Sequence, residues 1–491
     1  MQFSKLISVL DKKVEKDFDI REIKIDSREV NVGDVFVCIK GTNFDGHDYV
    51  NEAIERGASA IIGEREIKAD IPCILVKNSR IALSKLANKY FDHPNKSFKL
   101  VGITGTNGKT TTTFIIQNML ECSGKKVGVI GTLGAYIGDQ KIESESCLTT
   151  PDPIDLNRIF SVMAKNKVDV VVMEVSAHAI ALEKLAGITF DIGVLTNITQ
   201  DHLDFFENMD NYKKTKERFI TQMCNIAIVN SDDPICQEII NKVENQELKL
   251  NLTSFGVENV ADNFATSIHL YSRGASYFLN IDDNLFCVNT LLCGIFNIKN
   301  ALCAASVCYE LGVDIAAIQN GINTMLSVPG RFNVMHLANM TSVVIDYAHT
   351  PDGLSNILSG VRESFSGKII CVFGCGGNRD KSKRPIMGSI AEKLSDEVII
   401  TSDNPRFEPP EAIINDILAG VTNKNKVKCI TDRILAINYA LRRADKNDVI
   451  VIAGKGAENY IDVMGEKIPY SDALTVEEES KKIFEADKCL C

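Results

Sequence analysis

The sequence predicts an α/β protein of three domains built on mainly parallel sheet, and three observations carry that prediction. Short apolar, β-branched runs alternate with helical stretches along all 491 residues, the pattern of strands joined by crossover helices. That length suits about three domains of ordinary size, each burying its own core. The segment Gly102-Ile103-Thr104-Gly105-Thr106-Asn107-Gly108-Lys109-Thr110-Thr111-Thr112 joins a buried-type strand to a helix through a glycine-rich turn ending in Lys-Thr. This is phosphate-binding chemistry: backbone N–H groups turn inward around a polyphosphate, the helix offers its positive end, Lys109 can reach terminal phosphates and Thr110 can ligate Mg²⁺. The strict loop pattern asks for glycine where Ile103 stands; the glycines fall at 102, 105 and 108 instead.

The elements follow in order. Asp34–Ile39 and Ala60–Ile62 read as strands around a helix-like 48–57, and the polar Asp92-His93-Pro94-Asn95-Lys96-Ser97 reads as a linker closing a first domain at 1–97. A central domain, 98–328, holds strand-like Leu100–Ile103, Val168–Val175, Ile192–Thr196 and Ile226–Asn230, and Val328-Pro329-Gly330-Arg331 ends its helical pattern. The third domain, 329–491, has strand-like runs at 342–346, 369–373, 397–401 and 449–453.

Composition narrows the function. A hydrophobic share of 45% and a charged share of 24% are those of a soluble globular chain. A net charge of −11 disfavours general nucleic-acid or anionic-membrane binding, so an anionic substrate must meet local positive charge. The apolar run after Lys5 is too short for a signal peptide, and no stretch approaches a membrane span. Fifteen cysteines, odd in number and without a C-x-x-C pair, read as small buried hydrophobes of a reducing compartment. The expectation is a cytoplasmic protein.

The polar residues stand where a doubly wound sheet uses them, beyond the carboxyl ends of strands. The central strands end in Gly105–Lys109, Glu174-Val175-Ser176-Ala177-His178, Thr196–His202 and Asn230-Ser231-Asp232-Asp233. Those of the third domain end in Asp346-Tyr347-Ala348-His349, Gly374–Arg379, Asp403-Asn404-Pro405-Arg406 and Gly454-Lys455-Gly456-Ala457-Glu458. Glu174 closes an apolar run, where an unpaired carboxylate is expensive and a metal would satisfy it; the blander reading is a carboxylate exposed at a strand end. His202, beside Asp201 and Asp204, reads either as a surface histidine or as a Mg²⁺ or phosphate group. Asn378–Arg384 reads either as a solvated basic loop or as an anion trap. Asp403–Arg406 could be a simple Asn-Pro turn.

These motifs together resemble the ATP-dependent Mur ligases of peptidoglycan synthesis, in order, in spacing and over nearly the whole chain. Thr104–Thr111 resembles their ATP loop, Gly294-Ile295-Phe296-Asn297-Ile298-Lys299-Asn300 their second nucleotide motif, and Pro329-Gly330-Arg331 with Asp346–Pro351 their later signatures. Asp26-Ser27-Arg28, Thr149-Thr150-Pro151-Asp152-Pro153, Glu174–His178 and Asp201-His202-Leu203-Asp204 are most similar to the members that add the third residue of the stem peptide. The resemblance implies a UDP-sugar-binding first domain, a phosphate-loop ATPase domain and a Rossmann-like amino-acid-binding third domain. It implies an amide ligase that acts on UDP-MurNAc-L-Ala-D-Glu through an acyl phosphate, with ATP as co-substrate and Mg²⁺ as cofactor, as a monomer.

Residue by residue, the resemblance places ATP against Gly105, Thr106, Asn107, Gly108, Lys109, Thr110, Thr111, Asn297, Asn300, Arg331, Asp346 and His349. It gives Mg²⁺ to Thr110, Glu174, His202 and Lys216, the last as a carbamate (N6-carboxylysine), and names Lys109, Glu174, His202 and Lys216 as the catalytic set. The nucleotide-sugar dipeptide falls to Ser27, Arg28, Thr149, Thr150, Ser176, His178 and Lys184. The incoming amino acid falls to Arg379, Asp403, Asn404, Arg406, Gly454 and Glu458. Read from the residues alone, Lys216 is one lysine on a solvated helix face. The Asp-Asn-Pro-Arg pattern resembles members that use meso-diaminopimelate: a guanidinium holds its extra carboxylate by two hydrogen bonds, whereas lysine would leave a buried arginine unmatched. Three positions depart from the family pattern, Ala177, Lys184 and Ala457, so the acyl-substrate pocket carries over less fully than the ATP site. The acyl and amine sites lie on different domains, and a closing motion is expected. Competing readings are the lysine-adding ligase, a folylpolyglutamate synthetase, and a nucleotide switch that hydrolyses without making a bond.

Overall fold

The computed structural model describes residues 1–15, 17–41, 44–144 and 148–488. The chain is mixed α/β with parallel-rich sheets, and it packs as two compact units, one of Met1–Thr104, Lys125–Val194 and Thr215–Ala227, the other of Gly105–Gly124, Leu195–Lys214 and Ile228–Cys491.

In the first unit Ile23–Lys24, Val35–Val37, Ala60–Gly63 and Cys73–Leu75 form a four-stranded parallel sheet. Val35, Val37, Ala60 and Ile62 pack on one face with Phe3, Leu6 and Leu86, while Phe36, Cys38 and Ile61 pack on the other with Val50 and Ala53. A strand buried on both faces needs an unbroken apolar run, which is why Val35–Val37 carries no polar residue. The helix expected at 48–57 is Val50–Glu55, entered through a 3₁₀ turn at Gly46–Tyr49. The central strands of this unit pair in the order Phe190–Leu195, Lys99–Thr104, Val170–Glu174, Val127–Gly131, and a meander through Gly134–Ile137 and Gln140–Ile142 follows antiparallel.

The second unit begins at the glycine-rich loop and its helix Lys109–Cys122, against which Ile295–Glu310 and Ile315–Asn323 pack. It holds Asn251–Gly256, Asn263–Tyr271, Gly274–Ile281 and Asn284–Thr290, of which the last three are antiparallel neighbours. These strands lie outside the sequence expectation of doubly buried parallel strands: one of their faces meets solvent, so exposed Phe264, Thr266 and Phe278 alternate with buried Ala265, Tyr277 and Leu279. The same unit carries a six-stranded sheet in the order Asn333–His336, Ser342–Asp346, Val449–Ala453, Ile369–Phe373, Glu397–Ile400, Val427–Cys429, parallel except for its first strand. Val343, Ile345, Ile370, Val372, Ile450 and Ile452 face one core; Val344, Cys371, Phe373, Val449, Val451 and Ala453 face the other. The four central parallel strands therefore all point their carboxyl ends the same way, and the polar segments that follow share that edge.

Candidate active site

The phosphate loop is built by glycines in conformations that side chains avoid. Gly105 has φ +151°, and a Cβ there would lie 1.8 Å from Thr196 Oγ1. Gly108, at φ 87°, caps the helix Lys109–Cys122. The Lys109 ammonium curls back over the loop, donating to the carbonyls of Gly105 at 2.8 Å and Thr106 at 2.9 Å. The neighbouring strand exit braces it: Thr106 N–H donates to Asn197 O, Asn107 N–H to Asn197 Oδ1, and Thr196 Oγ1–H to Asn107 O. Thr106 and Thr111 are buried, as is Thr110. Asn297 and Asn300 stand at the start of the supporting helix. Asn300 Nδ2 donates to Asn297 Oδ1 at 3.3 Å, and Asn300 Oδ1 lies 2.5 Å from where a Cβ of residue 108 would be.

Residues of the third predicted domain meet this loop inside the same unit. Arg331 Nη2 donates to Thr110 Oγ1 at 3.1 Å, and its guanidinium lies over the Tyr347 ring at 4.4 Å. Asp346 accepts from the N–H groups of Phe332 and Ala348, both at 2.7 Å. Burial pushes its carboxyl above the usual range, against the pull of Arg331 and those two donors. His349 has Nδ1 2.9 Å from Tyr347 O, so Nδ1 carries the proton and Nε2 keeps its lone pair. Burial, then the nearby Lys383, hold its pKa below the ordinary histidine value. Asn107 Nδ2 donates to Asp352 Oδ2 at 2.6 Å. His202 sits at φ 55° before the short helix Leu203–Phe206, with Nε2 3.3 Å from Asp201 Oδ2. Asp201 is buried, in the combined field of His202, His349, Lys383 and Lys109.

The predicted amino-acid pocket forms along the carboxyl edge of the six-stranded sheet. Asn404 Nδ2 donates to Glu458 Oε2 at 2.9 Å, and Asn404 Oδ1 accepts from Lys455 Nζ at 3.0 Å and Asp462 N–H at 2.9 Å. Lys455, fully buried, also reaches Glu458 Oε2 at 3.0 Å. Asp403 Oδ2 lies beside Gly454, 2.4 Å from the position of an added Cβ. Arg406, at φ +51°, donates from Nη1 to Gly377 O at 2.8 Å, with Asp462 Oδ2 3.7 Å from Nε. The segment Asp403–Arg406 is thus no simple surface turn, since Asp403 and Asn404 are buried. Asn378–Arg384 divides: Arg379 is exposed, as a solvated loop requires, while Lys383 and Arg384 are buried.

The remaining predicted residues belong to the first unit. Glu174 is 1% exposed, but it is not unpaired as its place in an apolar run suggested: Thr132 gives its N–H to Oε1 and its hydroxyl to Oε2, both at 3.0 Å. Thr149 Oγ1 lies 3.1 Å from Thr132 Oγ1, and Thr150 Oγ1 donates to Glu174 O and bonds Ser176 Oγ. Ser176 caps the helix Ala177–Ala181, which carries His178. Lys184 pairs with Asp152 at 2.8 Å. Ser27 donates to Glu52, and the exposed Arg28 chelates Asp26. Lys216 corrects the expectation of a solvated face, being 1% exposed. Its helix, Met209–Gln222, turns Tyr212, Lys216, Phe219 and Ile220 inward at i, i+4, i+7 and i+8 spacing, so the polar letters around Lys216 concealed an inward stripe.

Asp201, Lys383, Arg384 and Lys455 stand inside motifs named from the sequence but without a role of their own, and Asp352 stands one residue past another; Thr132, 42 residues from Glu174, carries no local signal. The Asn230–Asp233 exit resolves into caps: Asp232 accepts from the N–H groups of Val257, Glu258 and Asn259, and Asp233 from those of Ile235 and Cys236.

A glycine-rich loop on parallel-rich sheet, followed by a second sheet covered on both faces, places the chain in the class of phosphate-loop α/β enzymes. Residues 103–308 match the Mur ligase middle domain, 330–456 the Mur ligase glutamate ligase domain, and 19–91 the Mur ligase family catalytic domain. The 2,6-diaminopimelate ligase 1 of Clostridium acetobutylicum, full name UDP-N-acetylmuramoyl-L-alanyl-D-glutamate--2,6-diaminopimelate ligase 1, is 42% identical over 95% of this chain and 96% of its own. The corresponding Bacillus licheniformis ligase is 40% identical over 94% of each chain. A solved structure of a UDP-N-acetylmuramoyl-L-alanyl-D-glutamate--2,6-diaminopimelate ligase superposes with TM-score 0.70 at 27% identity, covering 99% of this chain and 100% of that one. The MurF ligase of Thermotoga maritima, in complex with ADP, shares the fold at TM-score 0.63 and 24% identity over 95% and 98%. The chain belongs to the Mur ligase family.

Proposed function

We propose that the protein joins meso-diaminopimelate to UDP-MurNAc-L-Ala-D-Glu at the expense of ATP, as a cytoplasmic step of peptidoglycan precursor synthesis. The observation that carries this reading is the buried Asp403–Arg406 turn with its half-buried guanidinium, in a chain about 40% identical to relatives named for diaminopimelate addition. Residues 1–97 take the nucleotide sugar, 98–328 the ATP and 329–491 the amino acid. The twelve described cysteines are all free thiols, in keeping with a reducing compartment. Among the described residues no helix is long and apolar enough to cross a membrane.

ATP lies along the phosphate loop, with the N–H groups of Gly105 to Thr111 around its phosphates and Lys109 uncurling from its own loop carbonyls onto the terminal ones. Arg331 and His349 reach the same phosphates. Asn297, Asn300 and Asp346 complete the nucleotide pocket. Thr110, Glu174, His202 and a carbamate on Lys216 are the groups that would hold Mg²⁺, an oxygen-rich set suited to a hard cation carried largely on phosphate and water. Bound there, the ion supplies charge neutralisation as one anion attacks another. The dipeptide carboxylate, oriented by Thr149, Thr150, Ser176, His178 and Lys184, with Ser27 and Arg28 toward the nucleotide, takes the γ-phosphoryl group. The amine of the incoming amino acid then displaces phosphate. Arg379 and Arg406 grip that amino acid's carboxylates, and Asp403, Asn404, Gly454 and Glu458 its amino end.

The test is phosphate release by the purified protein with ATP, Mg²⁺ and UDP-MurNAc-L-Ala-D-Glu, comparing meso-diaminopimelate with L-lysine and weighing the product by mass spectrometry. Turnover with diaminopimelate alone supports the reading. Turnover with lysine would keep the ligase and reject the pocket, and hydrolysis without any acceptor would reject bond formation.

A further inference from the structure

Arg384 is the largest fully buried side chain among the described residues, and nothing in the reaction outlined above uses it. Its Nη1 donates to Glu408 Oε2 at 3.0 Å and Asp416 Oδ2 at 2.8 Å; its Nη2 donates to Glu408 Oε1 at 3.0 Å and to Gly376 O at 3.2 Å. Glu408 in turn accepts the N–H of Asn378. The pair therefore fastens the carbonyl on one side of Gly377 and the N–H on the other. Gly377 O is the acceptor on which the Arg406 guanidinium rests, at 2.8 Å. The backbones zip at the same place: Gly377 N–H donates to Asn404 O, and a Cβ at 377 would fall 2.0 Å from Pro405 O.

We infer that the Arg384–Glu408 pair is a positioning device for the amino-acid pocket, setting the direction of the Arg406 guanidinium by fixing the Gly376–Asn378 loop beneath it. The inference rests on the reading that Arg406 holds a substrate carboxylate. Its logic is geometric: a two-pronged carboxylate contact tolerates little misplacement, and a shift of about 1 Å costs on the order of a hundredfold in rate or affinity. The Arg406 guanidinium has Gly377 O at 2.8 Å and the Asp462 carboxylate farther off at 3.7 Å, so its direction depends on that loop carbonyl staying put. The fully buried Arg384 holds it so, gripping both oxygens of Glu408 and the Gly376 carbonyl with one rigid fork.

The experiment is initial-rate kinetics on the full chain, with KM for meso-diaminopimelate, KM for ATP and kcat measured for Glu408→Gln, Arg384→Lys, Arg406→Ala and the double variant Glu408→Gln/Arg406→Ala. Asp416→Asn serves as control, since that carboxylate touches Arg384 and neither pocket loop. The expected result is a diaminopimelate KM raised about ten- to a hundredfold in Glu408→Gln and Arg384→Lys. ATP KM should stay within about twofold, Asp416→Asn should behave as wild type, and Glu408→Gln should add less than about twofold once Arg406 is gone. A Glu408→Gln enzyme with wild-type diaminopimelate KM, or one whose full penalty persists in the Arg406→Ala background, would overturn the inference while leaving Arg406 its role. If Arg406→Ala itself leaves that KM unchanged, the pocket reading fails first. Glu408→Gln keeps the side-chain shape, and Arg384→Lys reports the same contact should the first variant not fold.

Discussion

The phosphate loop and the Asp403–Arg406 turn occupy like positions, each at the carboxyl end of a parallel strand, yet they are held by different means. The loop at 104–111 is a backbone object: glycine conformations, N–H donors and a lysine folded onto its own carbonyls within five residues. The turn at 403–406 is a side-chain object: Lys455 and Glu458 hold Asn404 from 51 and 54 residues away, and Arg384 reaches 24 residues along the chain to pair with Glu408, just past the turn. Arg433 belongs to the second kind. Its guanidinium forks onto Asp472 at 2.7 and 2.8 Å and donates to Ser402 O and Ala453 O, the residues just before Asp403 and Gly454. A loop made of backbone is legible locally and can bind whatever presents phosphate. A turn made of distant ion pairs is specific and fragile.

Substitutions at the two sites test whether they are held so differently. Arg433→Leu should have the largest effect, because it strands the fully buried Asp472; a loss of about 3–5 kcal/mol in denaturant unfolding is expected, and a loss under about 1 kcal/mol would mean the turn needs no such support. Lys109→Ala should lower ligation about a hundred- to a thousandfold with melting temperature unmoved, since Lys109 touches its own loop; an enzyme still ligating at half the wild-type rate would remove the phosphate assignment. Gly105→Ala should cost about 1–3 kcal/mol and weaken ATP use alike, because the new Cβ meets Thr196; relief by Thr196→Ala is the check. Arg406→Lys should raise the diaminopimelate KM about tenfold or more while sparing ATP, and equal loss of both would dissolve the contrast between the two sites.

The smallest effect is a pH dependence. Arg384 holds the Glu408 carboxyl from its ordinary 4.5 down to about 2. A carboxyl with a depressed folded-state pKa contributes stability that is complete above about 4.5 and is lost as pH falls from there toward about 2. Melting temperatures of wild type and Glu408→Gln should therefore differ near neutrality and converge in acid; a constant gap across that window would place the stabilisation elsewhere.

What the sequence determined by itself was everything encoded in short range. The doubly buried strands such as Ile369–Phe373 and Val449–Ala453 announce themselves as apolar runs, and Gly105 to Thr111 announces a phosphate loop, because strand burial and anion cradling both need particular residues within a few positions. The antiparallel strands between 263 and 290 did not, since a one-sided sheet leaves only a weak alternation. Tertiary structure alone decided that Lys216 lies buried, that Glu174 has Thr132 as a double donor, that Lys455 orients Asn404, and that Arg384 and Glu408 stand beneath Arg406. Each depends on which distant segments the sheets bring to one edge, and the strength of an ion pair out of water is a property of that burial, which no local spacing of charged letters records.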